Sequence, residues 1–272
     1  MLDQSSNASL QRARGRAEVG FVLKNGATKI DHLHQSGCLK AMLPKVHSDE
    51  PQVVFVNTAG GVTGGDKLKI SASLAADCQA TFTTQAAERI YKADSQVGEL
   101  SLQFEIAAGA QFSWLPQETI LFDGAAFDRR MNVNVASGAS ALLSESYMLG
   151  REAMGETIQQ CWLTDKWNVR RDGKLCFAEA LRVDDPKSLG GTAGLQVNRA
   201  FATLLYVADD AEVRLEQMRS LLEFDGVLAA ASAWNGQLVT RFIAPNSFAL
   251  RNALSRTISN FQNKAMPRVW QF

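Results

Sequence analysis

The sequence predicts a mainly β fold: a stacked or helical β-sheet scaffold, β-helix-like, with about two α-helices near the C-terminus. Three observations carry this. Apolar and polar residues alternate through Leu68–Leu74, Leu100–Ile106 and Arg129–Val135, the period of a strand with one buried face. Each stretch runs through a short small-residue break (75–79, 107–111, 136–140) into a second strand-like run, Ala80–Thr84, Phe112–Leu115 or Ala141–Leu143. The unit recurs about every thirty residues, and β units of that period bury their apolar faces only against neighbouring copies.

Taken in order, His32 and His34 lie two apart on one face of a strand-like segment. The apolar run Val53–Val56 reads as a buried strand entering a glycine-rich loop, and Leu68 opens the first repeat. A looser fourth unit spans Trp167–Phe177, where Asp172-Gly173 is a hairpin-turn pair. Helical spacing arises only late. Val213, Leu215, Met218, Leu221 and Leu222 predict a helix over 211–224, and Phe248, Leu250, Leu254, Ile258 and Phe261 predict one over 247–261. No linker divides the 272 residues, so a single domain over 1–272 is expected.

Composition narrows function by exclusion. Lys+Arg and Asp+Glu each number 28, so net charge is zero and no global field recruits nucleic acid or an acidic membrane. Little repulsion separates copies either, which leaves a homodimer within a larger complex open. No run approaches the ~20 apolar residues of a membrane span. Met1–Gly20 has no apolar leader core, and Cys38, Cys78, Cys161 and Cys176 form no Cys-x-x-Cys pair. A cytoplasmic location is the expectation.

Residues 57–67 read Asn-Thr-Ala-Gly-Gly-Val-Thr-Gly-Gly-Asp-Lys. A phosphate-binding loop needs Lys directly after its last Gly and a helix behind it; here Asp66 intervenes and a strand follows. That argues against nucleotide binding at this loop. Asn57, Thr58, Gly60, Gly61, Thr63, Gly64 and Gly65 form either a tight turn or a polar binding loop.

This loop resembles the signature of the urease accessory protein UreD (UreH) family. So do Gln85–Lys92, Trp114–Gly124 and Gly150–Glu156, in the family's order, and Pro267–Trp270 looks like the family's usual ending. Residues 1–40 carry little of the likeness, and Cys38 stands where the family places Pro after Gly37. The resemblance implies a non-enzymatic maturation factor with an all-β helical scaffold and two helices. It implies binding to apo-urease subunits, assembly with UreF and the GTPase UreG, and help in delivering nickel. No cofactor of its own is implied, only transient Ni²⁺.

The repeat adds a reading of its own. Glu88, Glu118, Glu145 and Glu179 follow the last apolar residue of each first strand by ten to fourteen residues. Stacked units would align them in one column, roughly 4.8 Å apart. Such carboxylates repel by roughly 3 kcal/mol at an effective dielectric near 20, so they need partner arginines, raised pKa values or a bound cation. Arg89, Arg151 and Arg182 are the ordinary partners. The alternative is a path for hydrated nickel, which oxygen ligands hold weakly and release easily. Asp66, Asp123 and Glu156 would extend it.

Other candidates are thinner. His32 and His34, with Asp31 or His47, could seat a metal but lack an evident third ligand. Every histidine precedes residue 48 and no Gly-x-Ser-x-Gly elbow occurs, so catalysis has little support. A β-helical glycosidase using Glu118 and Glu145 is the best enzymatic rival, and an adaptor without nickel contact is the closer alternative. Phe261, Arg268, Trp270 and Phe272 are partner-interface candidates, since aromatic and arginine side chains anchor interfaces.

Overall fold

The structure, a computed structural model, describes residues 11–45 and 50–271. His47 and Phe272 lie outside the described residues. The strands are β1 (Arg14–Lys24), β2 (Ala27–Gly37), β3 (Leu39–Met42), β4 (Gln52–Asn57), β5 (Lys67–Leu74), β6 (Gln79–Thr84), β7 (Glu88–Ile90), β8 (Gly98–Ile106) and β9 (Gln111–Leu115). They continue as β10 (Thr119–Leu121), β11 (Ala125–Val135), β12 (Ser140–Leu149), β13 (Cys161–Arg171), β14 (Lys174–Val183), β15 (Ala200–Val207), β16 (Leu228–Trp234) and β17 (Gln237–Ala244). Two helices, α1 (Leu215–Ser220) and α2 (Ser247–Gln262), lie near the C-terminus. The fold is the expected stacked β scaffold.

The chain winds between two facing sheets. One has seven strands in the order β14-β13-β11-β8-β5-β1-β2; the other has ten, along β16-β17-β15-β12-β9-β6-β4-β3 with β7 and β10 beside it. Strands from successive units pair in parallel, and Leu74, Ile106 and Val135 lie directly across from one another. The breaks stack too: the amides of Ala107 and Ala136 donate to the carbonyls of Leu74 and Ile106 at 3.0 and 2.9 Å. Each break has positive φ at its third residue, met by Asp77, Gly109 and Gly138, residue types that tolerate the left-handed region. The fourth unit is shifted. Val135 faces Arg171, not Val169, because β13 runs two residues past its last apolar position into the Asp172-Gly173 turn.

A stack exposes its ends, and unpaired strand edges invite pairing with other chains. Each edge here carries an obstruction. β2 and β14 fold back as antiparallel hairpins with a register shift in each ladder. At short β3, the Ala41 amide donates to Gln35 Oε1 at 2.8 Å, and Arg219 lies against the Ala231 carbonyl of β16 at 3.4 Å.

Two cores result. Between the sheets, Phe82, Phe104, Phe112 and Trp114 pack with ring centroids 4.8–5.1 Å apart, within the range of favourable aromatic pairs. On the far side of the ten-stranded sheet, α2 buries Leu250, Ala253, Leu254, Thr257, Ile258 and Phe261, the i, i+3, i+4 stripe of an amphipathic helix. The Asn246 side chain caps its start by accepting the Ala249 amide at 2.8 Å. α1 is shorter than its apolar spacing predicts. It has no side-chain cap, only Met218 is buried, and Val213 points to solvent. Among the described residues no helix is long and apolar enough to cross a membrane.

Candidate functional site

The polar centre of the molecule lies between the sheets. In β11 the inward positions run Ala125, Phe127, Arg129, Met131, Val133, and all are buried. Arg129 is 1% exposed. Its cross-strand neighbour in β13 is Asp165, which accepts from Nε at 3.1 Å and Nη2 at 2.6 Å. From the facing sheet, Glu145 of β12 takes the remaining Nη1. The second carboxylate oxygen of Glu145 accepts the Trp114 indole N–H at 2.8 Å, while Tyr147 and Trp167 donate to Asp165 at 2.8 and 3.0 Å. Burial, the strongest influence, pushes the Glu145 carboxyl up to about 7 against the pull of Arg129.

This network borders a cavity of about 270 Å³ between β12, β13, β14, β15 and β17. Glu145, Asp165, Glu179, Thr203 and Arg241 supply its polar lining, and Leu181, Leu189 and Phe201 its apolar wall. Arg241 donates to Glu179 Oε1 and, at 2.9 Å, to Thr203; Glu179 Oε2 is buried with no hydrogen-bond partner among the described residues. With every group ionised, three carboxylates face two guanidinium groups. The surplus negative charge favours a proton or a cation.

The expected single column of glutamates is not what forms. Glu88 lies opposite Thr119, and Thr119 opposite Tyr147, so Glu118 is one residue out of register. A one-residue slip turns a side chain to the other face of its sheet, and Glu118 accordingly sits 3.6 Å from Arg251 of α2. Glu179 belongs to the opposite sheet and reaches the cavity from there. Glu145 and Glu179 thus do share one cavity, but not by stacking.

The remaining acids are dispersed. Glu88 lines a smaller cavity of about 160 Å³ beside the glycine loop. Its oxygens accept from Asn57 Nδ2 at 3.1 and 3.3 Å, and burial pushes its carboxyl up to about 7 despite those bonds. Asp66 is buried and accepts the Ala13 and Thr63 amides at 2.7 and 2.9 Å. Asp123 accepts the Gln159 and Gln160 amides, which hold its carboxyl low. Glu156 pairs with Arg151, whose hydrogen bond holds it down at about 2.

The glycine loop is packed inward. A Cβ on Gly61 would lie 2.7 Å from the Arg89 carbonyl and one on Gly64 2.2 Å from that of Gln96. Thr58 and Thr63 donate to the Cys38 and Lys92 carbonyls, both at 3.0 Å, leaving Asn57 and Gly60 on the cavity wall. His32 and His34 lie on edge strand β2, exposed, with His32 3.2 Å from Asp31. Among the described residues no group of three or more His, Cys, Asp or Glu side chains is placed to hold a metal ion.

Two interface expectations need correction. Phe261 and Trp270 are 1% and 5% exposed and belong to the helix–sheet core, where the Trp270 indole donates to the Leu115 carbonyl at 3.0 Å. A side chain so enclosed cannot meet a partner. Arg268 is exposed.

The chain thus brings Asn57, Gly60 and residues 85–89 to the smaller cavity, and Trp114 to the Glu145 that lines the larger one. It matches the family described as UreD urease accessory protein over residues 13–271. The chain belongs to the UreD family. Among curated UreD urease accessory proteins, that of Dinoroseobacter shibae is 45% identical over 264 residues, covering 96% of this chain and 93% of that one. That of Rhizobium etli is 43% identical, with 96% of each chain covered. The Jannaschia sp. relative is 42% identical over 100% of both. The UreD likeness therefore extends through β1–β3, where the quoted motifs carried little of it.

The motifs did not reveal Arg129, Asp165, Tyr147 and Arg241. A signal existed for the first two: Arg129 and Asp165 occupy inward positions of strands whose other inward residues are almost all apolar.

Proposed function

We propose that this chain is a non-enzymatic urease maturation factor that holds UreF and the GTPase UreG on apo-urease and passes nickel along its interior carboxylates. Family membership supports the maturation role. The observation that carries the passage is the cavity between the sheets, lined by Glu145, Asp165, Glu179 and Arg241, with Arg129 bonded to the first two. Carboxylates there attract a hydrated divalent ion, and oxygen donors release it readily. Glu88 and its cavity form a second station of the same kind. Glu118, Asp123 and Glu156, each held by an arginine or by backbone amides, serve as supports at the periphery.

The test is Glu145→Gln with Glu179→Gln, expressed with urease and the other accessory proteins. The expected result is a complex that co-purifies intact while the nickel content of urease falls severalfold. Undiminished nickel would leave the scaffold and remove the passage.

A further inference from the structure

The outer face of the seven-stranded sheet bears an arrangement that stability alone disfavours. Both helices lie on the other sheet. On this face the register sets Lys166 beside Arg130, Arg130 beside Ser101, Ser101 beside Lys69, and Lys69 beside Arg16. Four cations therefore stand in one row across five strands, about 19 Å at the usual strand spacing. Lys166 is exposed, and the Arg130 and Arg16 side chains are 64% and 51% exposed. Like charges directly opposite on neighbouring strands destabilise a sheet, and this row contains two such pairs. Each pair has one bonded carboxylate, Asp128 on Arg130 and Glu18 on Arg16, both at 2.6 Å. One positive charge of each pair is left over.

The stripe is narrow. The next row on one side, Asp128, Glu99, Lys67 and Arg14, balances two acids against two bases, and on the other Asn168, Asn132, Gln103 and Ser71 lead to Glu18. A duplex nucleic acid or an anionic bilayer spreads negative charge broadly and would set it against those acids as well. A second copy would oppose cations to cations. A helix with carboxylates on one stripe repeats its charge every 5.4 Å, close to the spacing of the row.

We propose that this row is a docking surface for an acidic helix of one of the proteins with which the chain assembles. The inference rests on the assembly proposed above. The test uses the full chain and its Lys69→Gln/Lys166→Gln variant, with UreF–UreG and apo-urease as separate probes at about 50 and 300 mM salt. The variant should melt ~1–3 °C higher, because repulsion is relieved. It should bind one probe at least tenfold more weakly at low salt, with the gap narrowing at high salt, and the other probe normally. Unchanged binding to both probes overturns the docking surface while leaving the assembly standing. A wild-type chain that binds neither overturns both. A loss confined to duplex DNA or anionic vesicles, with protein binding intact, assigns the row to a polyanion and also overturns the proposal.

Discussion

The two cores of this protein are built on opposite rules. The layer between the ten-stranded sheet and the helices is filled from Leu204 and Phe242 to Leu254 and Trp270 without a buried charge, Thr240 and Thr257 being its polar members. The layer between the sheets is larger and aromatic, yet it encloses Arg129, Glu145 and Asp165 at 1–3% exposure. A buried ion pair is rarely the most stable way to fill a core, because desolvation offsets the Coulombic gain. The helix-side core shows that this chain can fill a layer without charge. The charged centre therefore lines its cavity at a cost in stability that the helix-side core avoids.

The sharpest way to break that contrast is Arg129→Met. It strands two buried carboxylates and should destabilise by about 3–5 kcal/mol, seen as a lower urea midpoint; a loss below about 1 kcal/mol would mean the network is solvated. In the other core, Trp270→Ala removes a buried indole and its bond to Leu115, with an expected loss of about 3 kcal/mol. Calorimetry should show it as a lower melting temperature, and removal of 267–272 should do at least as much.

The smallest effect sharpens the contrast through pH. Glu145 and Glu88 hold their protons up to about 7 in the fold, whereas an unfolded Glu releases its proton near 4.3. The unfolded state thus binds fewer protons between those values, so stability falls as pH rises from about 4.5 toward 7. Glu88→Gln and Glu145→Gln should each flatten that slope by about 1–2 kcal/mol over the interval, measured as the pH dependence of the urea midpoint. A helix-core substitution such as Leu254→Ala should shift the whole curve without changing its slope.

Much of this architecture is local and therefore legible along the chain. Period-two alternation in Leu68–Leu74, Leu100–Ile106 and Arg129–Val135 reflects one buried strand face, and those segments pair in the predicted register. The Asp172-Gly173 turn and the apolar stripe of α2 are equally local signals. The glutamate column failed for a reason that counting cannot detect. Thr83 pairs with Leu115 and Glu88 with Thr119, so one connection is a residue longer than the other, and a single residue reverses the face.

Chain order and side-chain chemistry alone set the stacked β scaffold, the UreD likeness and the supply of interior acids, since each depends on short-range pattern. Which acids meet was settled by folding. Glu145, Asp165 and Glu179 come from three strands in two sheets, and Arg129 reaches two of them across the interior. Sheet pairing and connection length decide such distances, and neither is written in the spacing of any one segment.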